Sequence, residues 1–432
     1  MPRRLPDSPV RHGGHPYLYQ HPDSQLALGA RVSFAVMAEQ FDVVVVGAGA
    51  VGAAAAYHAA RTGRRTLLLE QFALGHTRGS SHGESRIIRH SYSSVDYATL
   101  APPAFELWRQ LERESGADLL TMTGGVDLGR AQNQALVACR QALTEAGIGH
   151  IWMEGDEARR FVPQFDLPED WAVLYQSGAG VLNATRCVRT LAAQAVAFGA
   201  RLVERARMTA IESAGRVTRV QFEHAGASHV VEARAVIVAA GPWATRLFPA
   251  LGLDLGLAVT HQQVAYYPVA EPDLWSPGKA TIYIAHGRDG LYGFPICERP
   301  GFIKAAIELS AEVEDVDVER REPEPSALKQ LSGIVARRFR GVAPEPAEVI
   351  TCRYTETGDR DFIIDRHPSM PGTVVASPCS GHGFKFAVVS GKLAVELATT
   401  PPGTYDSPLW RERFRLNKAG EPAAPLAEEW RG

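Results

Sequence analysis

Cysteine is scarce. The five residues Cys139, Cys187, Cys297, Cys352 and Cys379 are odd in number, scattered through 432 positions and nowhere in a CxxC arrangement, so neither a disulfide framework nor a zinc site fits. Long apolar runs are missing too. Every one stops well short of the roughly 20 residues that cross a bilayer, and the longest strand-like stretch, Val43 to Val46, ends in glycines. A soluble, cytoplasmic protein with no membrane partner is expected. Charge of one sign is not concentrated either: 45 Lys plus Arg stand against 48 Asp plus Glu, a net charge of -3 with no long basic run, so nucleic acid is not an expected partner. What is present is ordinary in amount. With 45% hydrophobic and 22% charged residues the chain matches soluble globular proteins, and its length predicts two or three domains.

The first 36 residues carry Pro2, Pro6, Pro9, Pro16 and Pro22 with His12, His15 and His21, and Arg31 interrupts the best candidate for a secretory apolar core. They are expected to form a flexible leader, and Met37 is a candidate natural start. The histidines lack regular ligand spacing, so no metal site is expected.

Organisation begins at Phe41. The run FDVVVV reads as a parallel strand buried on both faces and leads directly into Gly47-Ala48-Gly49-Ala50-Val51-Gly52, a G-x-G-x-x-G in context. Ala53 to Ala60 then reads as a helix closed by Gly63, and Arg65 to Leu69 as a second strand ending at the acidic Glu70. In such a βαβ unit the first glycine permits the turn, the second admits a pyrophosphate and the third lets helix pack on strand, while the helix-start amides receive the phosphates. Glu70 stands where a carboxylate accepts ribose hydroxyls and disfavours a 2'-phosphate. Dinucleotide binding is the expectation. The motif alone does not separate NAD from FAD, but the loop from Phe72 to Tyr92, dense in Gly, Ser, His and Arg, replaces the further βαβ units usual with NAD and favours FAD.

The fold class expected is α/β, with a discontinuous, three-layer, Rossmann-like FAD-binding domain and an interleaved α+β substrate domain on an antiparallel-rich sheet. Residues 38–125, 181–255 and 350–400 are assigned to the first, 126–180 and 256–349 to the second, and 401–432 to a C-terminal tail.

Several segments carry a resemblance. GAGAVGAAAAYHAARTG, SSHGESRIIRHSY, LYGFP before GFIK, TCRYTETGDRDFIID and SGHGFKF together resemble the monomeric sarcosine oxidase and N-methyltryptophan oxidase family, the covalent-flavin branch of the D-amino-acid-oxidase-like amine oxidases. The likeness runs in family order from Met37 to about Thr400. It implies an FAD-dependent oxidase of N-methyl or cyclic secondary amino acids, in which a hydride equivalent passes to the flavin, an imine hydrolyses and O2 becomes H2O2. It also implies a monomer.

By the same resemblance Arg86 lies against the flavin ring, and Arg89 and Lys385 clamp the substrate carboxylate. Buried guanidiniums need anionic partners, which agrees. His82, Ser81 and Tyr92 are implied lining residues. Gly381, His382, Gly383 and Phe384 form a glycine-rich helix start, whose free amides and dipole suit the flavin edge that turns negative on reduction. Cys352 is the implied point of thioether attachment, with Arg353 a nearby cation that would lower its pKa. Lys304 assists oxygen, whose one-electron reduction creates a charge that a preplaced cation stabilises, and Tyr292 lines the pocket. At Glu308 the family has histidine, so a carboxylate there changes pocket charge and the preferred substrate. Three alternatives stay open: an FAD dehydrogenase with another acceptor, a D-amino-acid or glycine oxidase, and a non-enzymatic nucleotide-binding sensor.

Overall fold

Strand Glu39–Val46 shows why the chain begins to fold where it does. Val43, Val44 and Val45 are fully buried, each worth about 1.5–3 kcal/mol relative to exposure. Both flanking pairings are parallel, to Ala227–Val238 on one side and Thr66–Leu69 on the other. The computed structural model describes residues 38–287, 290–309, 311–313, 315–319 and 322–416. The leader and residues 417–432 lie outside the described residues.

The sheet continues through Arg201–Val203 beyond Thr66–Leu69, and through the hairpin Arg207–Ala214 and Val217–His224 beyond Ala227–Val238; Thr373–Ser377 also pairs parallel with that last strand. Ala227–Val238 is therefore one long strand, antiparallel in its first half and parallel in its second. Helix Ala50–Arg61 packs on one face against Ala184–Ala197 and Ala387–Thr399. Its alanines are buried all round because neighbours crowd it on every side: a Cβ on Gly391 would stand 2.5 Å from the Ala55 nitrogen. The opposite face is closed by Phe222, Phe248 and Ile211.

A second sheet runs Glu348–Glu356, Ala258–Pro268, Phe302–Ile307, Leu291–Phe294, Ile282–Ala285, Gly125–Arg130, Trp171–Gln176 and Ile151–Glu154, with a single parallel pairing, Ile282–Ala285 beside Gly125–Arg130. Helix Pro325–Arg338 supplies Leu331, Ile334 and Val335 to the cluster that holds Ala265, Tyr267, Ile303 and Ala305. Side chains alternate along a strand and directly opposed residues share a face. The registers Tyr266↔Lys304, Tyr292↔Ala306, Gln262↔Cys352, Thr260↔Tyr354, Ile284↔Tyr292 and Ile284↔Asp127 therefore put Asp127, Tyr292, Lys304, Cys352 and Tyr354 on the face turned away from that helix.

Two expectations differ from this arrangement. The segment from Phe72 to Tyr92 is not loop throughout: Ser85–Ile88 is a strand in a small sheet with Gly180–Asn183 and Leu120–Met122, because Ser85 and Ile88 are buried and their backbone groups need partners. The boundary at 350 also falls inside a strand, since Glu348–Glu356 pairs along its length with Ala258–Pro268 in the second sheet. Beyond 400, Phe414 is fully buried against Phe362 and Tyr97, so the described part of the tail packs on the body. Among the described residues no helix is long and apolar enough to cross a membrane.

Candidate active site

The nucleotide end is built from backbone. Gly47 has φ +97°, and a Cβ on Gly52 would stand 1.8 Å from the Gly47 carbonyl oxygen, so the turn and the helix packing both require glycine. Gly49 differs. Its absent Cβ would meet only the Ser81 hydroxyl, at 3.2 Å, so the room it leaves belongs to whatever binds there. Glu70 accepts from the Ala48 and Phe72 amides at 2.8 and 2.9 Å, and Ser81 accepts from the Ala50 amide at 3.1 Å. Gly47, Ala48, Gly49, Val51, Glu70, Ser81 and His82 all line one cavity that reaches Trp243 and Cys379. The Nε2 of His82 and the hydroxyl of Ser80 are buried without a partner. Burial, then the neighbouring Arg86, pushes the His82 imidazole down to about 4, so it is neutral near pH 7 and free to exchange one hydrogen bond. A glycine cradle, a carboxylate lining the cavity at the end of the second strand, and unpartnered polar atoms fit FAD.

Beside this cavity four basic side chains stand near one another, Arg86 and Arg89 by Lys385 and Arg86 by Lys304, and they differ in how they are balanced. Arg86 donates to the carbonyls of Ser80, His82 and Ser85 at 2.9, 2.7 and 2.7 Å and lies 5.6 Å from the Phe384 ring centre. Lys385, 6% exposed, donates to the Tyr92 hydroxyl and the His382 carbonyl at 2.8 and 2.9 Å. Neither has a carboxylate partner among the described residues. Burial, reinforced by Arg89 and Arg86, drives the Lys385 ammonium well below its usual range, the response of a buried cation that lacks an anion.

Arg89 and Lys304, in contrast, are already paired. Arg89 donates through Nη1 to Ser91 Oγ at 2.7 Å and stands 3.5 Å from Asp127 Oδ1. Burial is the largest influence and opposes its charge, but Asp127, Tyr92 and Cys139 together outweigh it and raise the pKa. Lys304 Nζ donates to Ser85 Oγ at 2.7 Å and pairs with Glu298 at 3.5 Å. Burial still holds it below its ordinary value. Removing one partner of such a buried pair costs about 3–5 kcal/mol.

Cys352 and Tyr292 meet Lys304 on the same sheet face. Burial raises the Cys352 thiol pKa, and Arg86 and Lys304 oppose the rise. Arg353 is not the cation at that sulfur. The next residue along a strand points the other way, and its guanidinium donates to the Val316 and Val318 carbonyls. Tyr292 and Tyr354 share a hydrogen bond at 3.0 Å. Glu308 is not a free acceptor: Arg360 binds it and also stands 3.5 Å from Glu356. Gly381 abuts the Tyr354 ring, where a Cβ would come within 2.9 Å. His382 stacks on Phe362 and donates from Nε2 to the Arg360 carbonyl at 3.1 Å, and Gly383 and Phe384 open the short 3-10 turn Phe384–Phe386 that leads into helix Ala387–Thr399.

Sequence reasoning passed over Asp127, Ser91, His286, Glu298, Tyr354 and Arg360. One signal was available, since Asp127 interrupts the apolar pair Val126 and Leu128 in a strand. Asp127, Cys139 and His286 also bring one ligand atom each within 4.8 Å of one another. Asp127 there already accepts from Ser91 and His286 at 2.5 and 2.7 Å beside a guanidinium, which disfavours a second cation.

The fold and the nucleotide cavity define an FAD-binding oxidoreductase. Comparison with known proteins agrees: the family model for FAD dependent oxidoreductases, DAO, matches residues 42–397. The chain is 32% identical over 392 residues to the peroxisomal sarcosine oxidase of Homo sapiens, covering 89% of this chain and 99% of that protein. It is 33% identical over 379 residues to the monomeric sarcosine oxidase of Bacillus sp. (strain B-0618), covering 86% and 95%. Among solved structures, NikD, an unusual amino acid oxidase essential for nikkomycin biosynthesis, superposes with a TM-score of 0.74 at 24% identity over 85% of this chain and 96% of that one, a likeness of fold. This chain therefore belongs to the DAO family of FAD dependent oxidoreductases and, within it, to the sarcosine oxidases.

Proposed function

We propose that the protein oxidises N-methyl or cyclic secondary amino acids as a monomer, with O2 as acceptor and with FAD held covalently through Cys352. Residues of the Gly47 turn, Glu70 and Ser81 would hold the adenosine and pyrophosphate; Arg86, His382 and the Phe384 turn would face the ring. Bound FAD supplies a two-electron acceptor that oxygen regenerates with release of H2O2. The observation that carries this reading is the pair of cations without carboxylate partners among the described residues, the half-buried Arg86 and the buried Lys385, standing beside Arg89. An oxidation that develops negative charge on the cofactor and begins with a bound carboxylate needs two uncompensated positive charges.

Arg89 and Lys385 would hold the carboxylate and so orient the amine and its C–H bond, which lowers the entropic part of the barrier. Tyr292 and Tyr354 would offer hydroxyls to the pocket. Glu308, neutralised by Arg360, would form a closed polar wall, which favours compact substrates over ones with a cationic side chain. Lys304 would stand ready for the charge that oxygen acquires. The division into interleaved nucleotide and substrate domains is part of the same proposal.

The test is direct. Purified protein is expected to be yellow, to retain flavin on the polypeptide after acid denaturation, and to release peroxide with N-methyl or cyclic amino acids. Peroxide from primary amino acids only, with flavin freed by acid, would sink the proposal; electron transfer to dyes but not to oxygen would sink the oxidase part of it.

A further inference from the structure

The four cations are not equivalent, and Arg89 shows it best. Its Nη1 is occupied by Ser91 and Asp127, while its Nε and Nη2 have no partner among the described residues. Asp127 is fully buried and receives three donors: Ser91 Oγ at 2.5 Å, His286 Nε2 at 2.7 Å and Arg89 Nη1 at 3.5 Å. The sheet fixes this carboxylate. Gly125–Arg130 and Ile282–Ala285 run parallel in the register Ile284↔Asp127, so His286, two residues beyond Ile284, falls on the same face, and its amide is tied to the Leu128 carbonyl at 2.6 Å. Arg89 itself lies 4.6 Å from the centre of the Tyr92 ring, and the Tyr92 hydroxyl accepts from Lys385.

We propose that Asp127, with Ser91 and His286, is a positioning residue that clamps one edge of the Arg89 guanidinium so that its other edge is presented to the substrate carboxylate. The proposal rests on the reading of Arg89 and Lys385 as the carboxylate site. A planar fork recognises a carboxylate only in a fixed orientation, and a long side chain left free would have to be ordered at each binding event. Because Asp127 already balances Arg89, this residue supplies shape and Lys385 supplies net charge. That division sets the sign of the test. By charge alone, removing the Asp127 anion makes the pocket more positive and should tighten carboxylate binding; by positioning, it should weaken it.

The experiment titrates methoxyacetate, a carboxylate with no amine to oxidise, into the flavin-loaded protein and follows the flavin absorbance. Asp127→Asn is expected to weaken binding about tenfold or more. In turnover it should raise KM with a smaller change in kcat. Combined with Arg89→Ala it should add nothing to the loss that Arg89→Ala causes alone, the non-additivity of residues acting through one another. Ser91→Ala, a smaller change that serves should Asp127→Asn fail to load flavin, is expected to weaken binding about threefold through the same link. Unchanged or tighter binding in Asp127→Asn, or a loss that adds to that of Arg89→Ala, overturns the proposal while leaving the carboxylate site intact. A wild-type protein whose spectrum ignores methoxyacetate overturns the site itself, and the clamp with it.

Discussion

The turn from Gly47 to Gly52 and the face that carries Lys304 solve different problems. At the turn the shape is set by backbone, a positive φ and the absence of two Cβ atoms, with Glu70 and Ser81 holding two of its amides. At the sheet face every requirement is met by side chains that reach across: Arg89 to Asp127, Lys304 to Ser85, Arg360 to Glu308. A phosphate ester keeps its charge throughout, so a rigid array of amides suffices there. A reacting substrate and a cofactor that changes charge need cations whose balance is set one by one. Among the described residues, two of the four cations accordingly have carboxylate partners and two do not.

That contrast can be broken most forcibly at the turn. Gly52→Val would drive a side chain into the Gly47 carbonyl, and the purified protein is expected to lose essentially all bound flavin, read from its absorbance; a yellow variant would show that the turn is not the cradle. Next in size is Lys385→Met, which should keep its flavin yet lose about 10²–10³-fold in kcat/KM for the best secondary amino acid. Flavin loss without a kinetic defect in the loaded fraction would reverse the assignment.

A smaller effect sharpens the same point. The Lys385 ammonium lies well below its ordinary 10.5, and only the protonated form attracts a carboxylate. Affinity for methoxyacetate should therefore be highest at low pH and fall as pH rises through the depressed pKa, well before 10.5. Lys385→Arg should flatten the curve because a guanidinium stays protonated.

The smallest expected effect concerns stability. Burial brings His58 and His82 from 6.5 to about 4. Unfolded imidazoles take up protons near 6.5 that the folded ones refuse, so the contribution is complete above 6.5 and is lost as pH falls toward 4. Urea midpoints across that window should drop. His58→Gln, which keeps a donor for the Val388 carbonyl now 2.9 Å from Nε2, should make the drop shallower.

Legibility followed the same divide. The unit from Phe41 to Glu70 was readable because strand, turn, helix and acid are consecutive, and its elements stand where their pattern predicts. Arg86, Arg89, Lys304, Lys385 and Cys352 were named from a resemblance, and the structure sets them near one another: Arg86 and Arg89 by Lys385, Arg86 and Lys304 by Cys352. Their partners were not readable. Asp127 lies 38 residues from Arg89, and Lys304 is 219 from Ser85. The assignment of Arg353 to the Cys352 sulfur failed for a related reason, since adjacency in a strand means opposite faces.

By itself, then, the sequence determined the dinucleotide unit, because glycine geometry and strand and helix periodicity act over a few neighbouring positions, while the basic residues were named only through the resemblance. Only the tertiary structure decided which of those cations is balanced. Partnership depends on strand registers such as Ile284↔Asp127 and Tyr266↔Lys304, and the strength of a buried charge depends on what stands within a few ångströms of it rather than on what precedes it in the chain.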